Sequence, residues 1–274
     1  MIRPIIIKAL EEDIGHGDIT SSAIIRDGLE AKGLIIAKED FVLAGIGVAS
    51  ECFKTLDPEI IFKERFGDGN KVKARKVIAE VKGNAQTILM AERVALNFLQ
   101  RLSGIATLTS KYVEKIKGTK AKIVDTRKTT PGLRVLEKYA VRMGGGFNHR
   151  FGLYDAVLIK DNHIELSGSI KKAVENVKGK TSHTTRIEVE ARSLKEVKDA
   201  LQSGVDIIML DNMDLETTRK AVKLIQGKAL IEASGNINLD NVREMAKTGV
   251  DLISIGAITH SAPAVDISLE IKPL

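Results

Sequence analysis

The chain has 274 residues, of which 43% are hydrophobic and 4% aromatic, and its formal net charge is +6. This length allows one large domain or two modest ones, and the lack of Trp argues against the aromatic stacking surface that binds single-stranded nucleic acid. The single cysteine, Cys52, excludes an internal disulfide and a multi-cysteine metal site, and its spacing predicts a buried side chain. No stretch approaches the ~20 apolar residues that span a bilayer. The N-terminal sequence MIRPIIIKALEED lacks signal-peptide features, so we expect a cytoplasmic protein.

The first hundred residues predict a small α+β unit. Apolar spacing indicates helices over residues 5–13 and 46–56, and alternation of β-branched residues indicates strands within 32–45, 60–66 and 71–81.

A longer helical pattern follows from Ala85 to Arg101. Gly104 is predicted to interrupt it before a second helix, Ile105 to Ile116. Arg93 lies on the polar side of the first helix, where an isolated arginine is typically a solvated surface charge.

After residue 120, short apolar runs alternate with helical patterns that carry their own caps. Ser193 with Glu196, Asp214 and Asn238 are the predicted caps, the last for a helix over Leu239 to Lys247. Buried runs separated by single helices are typical of parallel strands with right-handed crossovers. The six runs are Ile123–Val124, Ala156–Ile159, Ile187–Val189, Ile207–Leu210, Leu230–Ala233 and Leu252–Ile255.

Six strands suit either a barrel or an open doubly wound sheet, and the residues that end them favour the barrel. Each run is followed by polar or small residues, and parallel strands bring such ends to one face, where barrel enzymes keep their sites. These residues are Thr126, Arg127, Lys160, Glu190, Asp211, Ser234, Gly235 and Gly256. The alternation that begins at Val265 predicts a final strand that joins the N-terminal sheet.

The stretch from Ile123 to His163 concentrates positive charge. Between Thr126 and Lys160 it holds seven Lys or Arg against two acids. A triple glycine, Gly144 to Gly146, is predicted to leave backbone N–H groups free to approach an anion. The stretch therefore predicts a pocket for a small, multiply charged anion.

The residue types in this region suggest a division of roles. Arg127 and Arg150 offer planar forks for carboxylates or phosphates, and a lysine such as Lys160 offers a point charge. Glu190 and Asp211 can hold sugar hydroxyls or a magnesium ion that bridges phosphates. The histidines show no zinc spacing, and no GxSxG elbow is present. A Schiff base at Lys160 is an alternative chemistry.

Eight sequence blocks together resemble the quinolinate phosphoribosyltransferase family, over about residues 10 to 261. They are EEDIGHGDIT, AERVALNFLQRLSGIAT, DTRKTTPGLR, GGGFNHR, IEVEA, IIMLDN, EASGNI and SIGAITHS. The resemblance implies an N-terminal open-faced α/β sandwich, residues 1–102 joined by a C-terminal strand over 262–274, and an incomplete α/β barrel over 103–261. It also implies magnesium-assisted phosphoribosyl transfer to quinolinate with decarboxylation in NAD biosynthesis, by a homodimer. From the composition and the lack of a long apolar run, we expect no nucleic-acid partner and no membrane partner.

The resemblance also implies roles for single residues. Arg127, His149, Arg150 and Lys160 match the groups that hold the two quinolinate carboxylates, and Arg93 matches an arginine that completes the neighbouring subunit's site. Lys128 matches a residue near phosphoribosyl pyrophosphate, Glu190 and Asp211 match residues that contact its ribose and magnesium, and Glu188 is an alternative to Glu190. The matches to the 5′-phosphate loops are Ser234, Gly235, Asn236, Ser254, Ile255, Gly256 and Ala257.

Three other functions are alternatives on the sequence alone. A related phosphoribosyltransferase acting on nicotinate would need fewer cations around the second carboxylate. A Schiff-base lyase would use Lys160 as its nucleophile, and an RNA-binding protein would show strong, salt-sensitive affinity.

Overall fold

The structure is a computed structural model, and it describes residues 2–274. In chain order the elements begin with α1 (Arg3–Ile14), α2 (Ile19–Ile24), β1 (Glu30–Ala37), β2 (Phe41–Val42), α3 (Ile46–Leu56), β3 (Ile61–Glu64), β4 (Lys71–Val72), β5 (Val77–Asn84) and α4 (Ala85–Lys115). They continue with β6 (Lys122–Val124), α5 (Arg134–Met143), β7 (Val157–Ile159), α6 (Asp161–Ser167), α7 (Ile170–Lys178), β8 (Ile187–Ala191) and α8 (Leu194–Gln202). The last are β9 (Ile207–Asp211), α9 (Leu215–Ile225), β10 (Leu230–Ser234), α10 (Val242–Lys247), β11 (Leu252–Ser254), α11 (Ala257–His260) and β12 (Ile267–Pro273).

The chain divides into two compact units. The first comprises the chain up to Ser110 together with Thr129–Gly145 and Ile258–Leu274, and the second comprises Lys111–Lys128 and Gly146–Ala257. The boundaries proposed above, 1–102 with 262–274 and 103–261, stay a prediction.

The first unit contains an antiparallel sheet with strand order β12-β1-β5-β3. Alternate residues of β1 are buried, which is the pattern of a sheet with one packed face and one open face. Helix α3 lies against the sheet, because the Phe53 and Phe62 ring centroids are 5.8 Å apart. Cys52, on the same helix, is fully buried as its spacing predicted. The C-terminal strand pairs with β1 in a register that sets Ala37 against Ile267.

Helix α4 runs through Gly104 without a break, so the predicted interruption is wrong. The reason is packing. A Cβ at Gly104 would overlap the Pro263 carbonyl oxygen and would lie 3.0 Å from the Pro263 carbonyl carbon. The glycine therefore permits a close approach of the chain around Pro263. Although α4 has 31 residues, no helix within residues 2–274 is both long and apolar enough to cross a membrane.

The second unit is built on a sheet of six parallel strands in the order β6-β11-β10-β9-β8-β7. Since β6 pairs with β11, the strands follow the circular order of a barrel. The two end strands, β6 and β7, are not paired with each other. Among the described residues, the open side of β6 has one isolated bridge, between Val124 and Phe147. The arrangement is an incomplete α/β barrel that follows a mixed α/β unit, and this confirms the predicted fold class.

Two of the three predicted helix caps are present. The Ser193 side chain accepts a hydrogen bond from Glu196 N at 3.2 Å, and Asp214 accepts one from Thr217 N at 2.7 Å. The third prediction is wrong, because α10 begins at Val242. The Asn238 side chain instead accepts from the backbone N–H groups just before the helix, so it closes a turn.

Candidate active site

The carboxyl ends of the barrel strands lie level with one another. Register pairs Asp211 with Ser234, Ser234 with Ser254, and Ser254 with Val124. In a parallel sheet this places every chain segment that follows a strand at one edge. The polar strand-end residues identified from the sequence therefore emerge on the same side of the second unit.

Two of the predicted cations follow β6 directly, and a third lies on the segment beside it. Asp125, fully buried, accepts hydrogen bonds from His149 N at 2.9 Å and Asn148 Nδ2 at 2.6 Å. This anchors the residues that precede Arg150 to the end of β6, just before Arg127 and Lys128.

The Arg150 guanidinium is held partly buried with spare hydrogen-bonding capacity. Its Nη1 donates to the Ala156 carbonyl at 3.1 Å, while its buried Nε has no hydrogen-bond partner. Burial lowers the pKa of Arg150 and the nearby charge of Arg127 adds to this, whereas Glu188 and Asp155 raise it. A bound anion that pairs with both Arg127 and Arg150 would relieve the repulsion between these two arginines.

The second group lies at the ends of β7, β8 and β9. Lys160 Nζ is 3.6 Å from Glu190 Oε2. Burial raises the pKa of Glu190, Lys160 lowers it, and Asp211 raises it again. Glu190 is buried, and its Oε2 receives no hydrogen bond. The two carboxylates and the lysine thus form one charged cluster at adjoining strand ends.

Arg192, which our sequence analysis did not single out, completes this cluster. Its guanidinium lies 2.7 Å from Asp161 Oδ2, 3.4 Å from Asp211 Oδ2 and 3.8 Å from Glu190 Oε1. These carboxylates raise its pKa, Asp161 most of all. The signal that could have revealed it is its position, two residues beyond Glu190 at the end of β8.

The turn after β10 is shaped by its neighbour after β9. Asn236 Nδ2 donates to Asn212 Oδ1 at 3.0 Å, and Asn212 N donates to the Ser234 carbonyl at 2.8 Å. Gly235 has φ +91°, and a Cβ there would overlap the Asn212 side chain. Only glycine fits this turn without displacing Asn212.

The next turn, Ser254–Ala257, follows β11. The Ser254 hydroxyl lies 3.4 Å from the Ala233 carbonyl, and Ile255 N donates to the Val124 carbonyl at 3.0 Å. These bonds tie the start of the turn to strands on both sides. Gly256 and Ala257 then lead into α11.

Two members of the triple glycine, Gly144 and Gly145, do not have the predicted free backbone donors. Gly144 N donates to the Ala140 carbonyl and Gly145 N to the Arg142 carbonyl, both at 3.0 Å. A Cβ at Gly144 would overlap the Ala106 carbonyl oxygen. Gly144 and Gly145 follow the end of α5, and Gly144 permits close packing on α4. This corrects the expectation that all three glycines form an anion-binding turn.

The seven cations of the central stretch also divide between the units. Arg134, Lys138 and Arg142 lie on α5 in the first unit, and the other four lie in the second. Arg93, on α4 in the first unit, is exposed.

A buried polar cluster inside the barrel was not predicted as a group. His149 Nε2 lies 3.1 Å from Glu188 Oε2 and 3.6 Å from Glu232 Oε1. Our sequence analysis weighed Glu188 only as an alternative to Glu190, and it did not single out Glu232. The structure separates the acids, because Glu188 faces His149 whereas Glu190 faces Lys160 and Arg192.

Comparison with known proteins identifies the family. Residues 18–103 match the model of the quinolinate phosphoribosyl transferase N-terminal domain, and residues 105–270 match that of its C-terminal domain. A probable nicotinate-nucleotide pyrophosphorylase [carboxylating] from Synechocystis is 48% identical over 99% of this chain and 92% of its own. One from Methanocaldococcus jannaschii is 47% identical over 97% and 96%.

Solved structures agree with this. The crystal structure of NadC from Streptococcus pyogenes superposes with a TM-score of 0.97 at 43% identity, covering 100% of this chain and 97% of that one. Human nicotinic acid phosphoribosyltransferase, at 10% identity and a TM-score of 0.67, shares the fold alone. On the matches to both domains, this chain belongs to the quinolinate phosphoribosyltransferase family.

Proposed function

We propose that this enzyme transfers the phosphoribosyl group of phosphoribosyl pyrophosphate to quinolinate and removes one carboxylate, giving nicotinate mononucleotide, pyrophosphate and carbon dioxide. It is thus a pentosyltransferase of NAD biosynthesis, and the cytoplasm is its expected location. The observation that carries this function is the match to both family domains over residues 18–103 and 105–270. Relatives that cover nearly the whole chain bear the name of this activity.

The direct test supplies quinolinate, phosphoribosyl pyrophosphate and magnesium and follows nicotinate mononucleotide and carbon dioxide. Nicotinate in place of quinolinate is the matched control, because it lacks the carboxylate that leaves. We expect quinolinate to give one carbon dioxide for each nicotinate mononucleotide formed, and nicotinate to give no product. Product from nicotinate alone would favour the related transferase instead.

The carboxylate pocket is assigned to Arg127, Arg150 and Lys160. The dianion needs several cations, and the partly buried Arg150 with its unpartnered Nε is suited to a charge-assisted fork. We expect Arg150→Ala to abolish quinolinate binding in calorimetry, and Arg150→Lys, which keeps the charge but not the fork, to weaken it roughly tenfold or more. Unchanged affinity in both variants would remove Arg150 from the pocket.

Phosphoribosyl pyrophosphate is assigned to the remaining strand ends. Glu190 and Asp211 are placed to accept hydrogen bonds from ribose hydroxyls, and Lys128 lies near the pyrophosphate. The 5′-phosphate is assigned to the turns Ser234–Asn236 and Ser254–Ala257, since small residues at the ends of the last barrel strands are a common phosphate site.

Magnesium fits the donor set at these strand ends. It is bound in proteins through one or two carboxylates together with substrate phosphates, and Glu190 and Asp211 supply two carboxylates from adjoining strands. When bound, the ion would neutralise charge on the leaving pyrophosphate. Activity that survives complete chelation of divalent cations would contradict this assignment.

The reaction itself needs positioning and charge more than a strong acid or base. The quinolinate ring nitrogen attacks C1 of the ribose as the bond to pyrophosphate breaks. The transition state resembles an oxocarbenium ion, which the negative charges of Glu190 and Asp211 stabilise. The ring nitrogen is then cationic, so the adjacent carboxylate leaves as carbon dioxide, and the electron pair left on the ring carbon takes up a proton.

We also assign Arg93 to the active site of a partner subunit in a homodimer. This is supported by the exposure of Arg93 on α4 and by the match of its sequence block to the family. Mixing inactive Arg93→Ala with inactive Arg150→Ala subunits is the test. If Arg93 acts across the interface, hybrid dimers have one intact site and activity returns to about a quarter of the wild-type value. No recovery despite subunit exchange would place Arg93 in its own subunit's site or outside any site.

A further inference from the structure

Three residues form a buried cluster under the carboxylate pocket, which we call the inner triad: His149, Glu188 and Glu232. Their nearest nitrogen and carboxylate oxygen atoms lie within 4.8 Å of one another. Glu188 is 4% exposed and Glu232 is 0% exposed. Buried carboxylates are costly unless they are paired or protonated, so the arrangement requires an explanation.

The orientation of the His149 ring limits what the triad can bind. Arg150 N donates a hydrogen bond to His149 Nδ1 at 2.8 Å, so Nδ1 carries a lone pair. The ring proton of this tautomer is on Nε2, where Glu188 Oε2 accepts it at 3.1 Å. A metal ion at Nε2 would move the proton to Nδ1, where it would face the Arg150 N–H. The geometry therefore favours a proton network over a metal site.

The carboxylate oxygens of the triad show where a further proton belongs. Glu188 Oε1 and both oxygens of Glu232 are buried and receive no hydrogen bond. The pKa of Glu232 is raised to about 8: burial is the largest cause, Glu188 and Asp125 act in the same direction, and His149 and the Ser254 hydroxyl act in the opposite direction. The nearest oxygens of the two acids lie within 4.8 Å of each other, so a proton on Glu232 can be turned towards Glu188, which relieves the repulsion and gives one oxygen of each carboxyl group a partner.

We propose that the inner triad is a positioning network for the carboxylate pocket. Neutral Glu232 donates to Glu188, Glu188 holds the His149 ring, and the ring fixes the backbone of Arg150. The inference rests on the proposed function, because the pocket it serves is the one assigned to quinolinate. It gives His149 a role through Arg150, since both of its ring nitrogens face protein atoms.

Loss of the Glu232 proton would weaken quinolinate binding. Ionised Glu232 adds a negative charge beside Glu188 and Asp125, and Glu188 is close enough to Arg150 to raise the pKa of that arginine. This charge opposes a dianion in the pocket and leaves the 5′-phosphate turns less affected. The Michaelis constant for quinolinate should therefore rise roughly tenfold as the pH passes above the pKa of Glu232, with little change for phosphoribosyl pyrophosphate.

Nitrogen-15 NMR of the histidine rings tests the network in the wild-type protein without substrate. The His149 signal, identified by its loss in His149→Gln, is expected to show the Nε2–H tautomer at neutral pH. An Nδ1–H tautomer would overturn the proposal and indicate a metal ligand instead, and metal analysis of the same sample would then show a bound ion.

Steady-state kinetics of Glu232→Gln supplies the second test. Glutamine mimics the neutral acid but cannot ionise, so the alkaline rise in the Michaelis constant for quinolinate should disappear in this variant. Glu216→Gln, an exposed change on α9, is the matched control and should keep the wild-type profile. An unchanged alkaline rise in Glu232→Gln would overturn the inference. Failure of the proposed function is distinct, because it would appear as no wild-type turnover with quinolinate.

Discussion

Replacing Gly104 with alanine has two opposite effects on the stability of the fold, and their sizes can be compared. Alanine is favoured over glycine within a helix by about 1 kcal/mol. At Gly104, however, the new Cβ would overlap the Pro263 carbonyl oxygen and lie 3.2 Å from Ala264 Cα. These are backbone atoms, so no side-chain rotation relieves the overlap, and overpacking of this kind costs about 1–3 kcal/mol or more. Because the overlap is with rigid backbone, the upper end of that range, about 3 kcal/mol, applies. After the helix gain of about 1 kcal/mol is subtracted, we expect Gly104→Ala to lower the free energy of unfolding by about 2 kcal/mol.

Urea denaturation followed by circular dichroism measures this change. Gly47→Ala is the matched control, because Gly47 is exposed near the start of α3 and its Cβ would meet nothing within 4 Å. That variant should be stabilised by roughly 0.5 kcal/mol. If Gly104→Ala is stabilised to the same extent, the glycine is not required for the approach of Pro263 and our reasoning about packing is wrong.

Three further predictions concern stability and reactivity. Arg101→Met should lower the free energy of unfolding by ~3 kcal/mol, because the fully buried Glu137 would lose its ion pair with Arg101 at 2.9 Å. Urea denaturation measures the loss, and Arg101→Lys, which keeps the charge, is the control. An equal loss in Arg101→Lys would show that the stability depends on the packing of Arg101 and not on its charge. Ser193→Ala should cost about 1 kcal/mol through loss of the α8 cap, while Ser193→Asp should restore most of it in the same assay. Burial raises the pKa of Cys52 to about 12, so a thiol reagent should react with the unfolded chain and leave the native protein unmodified at neutral pH; rapid native labelling would contradict this.

The barrel strands could be predicted because each is a short buried run with helical patterns on either side. All six runs named in the sequence analysis coincide with strands β6 to β11. The two incorrect interpretations of glycine have a common cause. Gly104 and Gly144 were interpreted as flexible backbone, whereas each allows a close approach to a carbonyl from a distant segment. Only the folded chain shows which segment that is.

For the candidate site, the sequence predicted the residues at the strand ends but not the partners of those residues. Strand-end residues such as Glu190 and Asp211 follow from register, because parallel strands align their carboxyl ends. The partners of those residues do not follow from register. Glu188 and Glu190 share a strand face in the sequence pattern, yet one pairs with His149 and the other with Lys160. That separation depends on how loops leave neighbouring strands, which no local pattern encodes.

The distances in the strand-end cluster bear on how it can receive an anionic substrate. Glu190 lies 3.6 Å from Lys160 and 3.8 Å from Arg192, both longer than a charge-assisted hydrogen bond. Arg192 is nevertheless tightly paired with Asp161 at 2.7 Å, so Lys160 is the cation that is held near an acid without a short ion pair. A phosphate or carboxylate oxygen can approach Lys160 without first breaking a tight pair. Because charges that are already oriented need little reorganisation during reaction, this loose pairing favours stabilisation of the transition state.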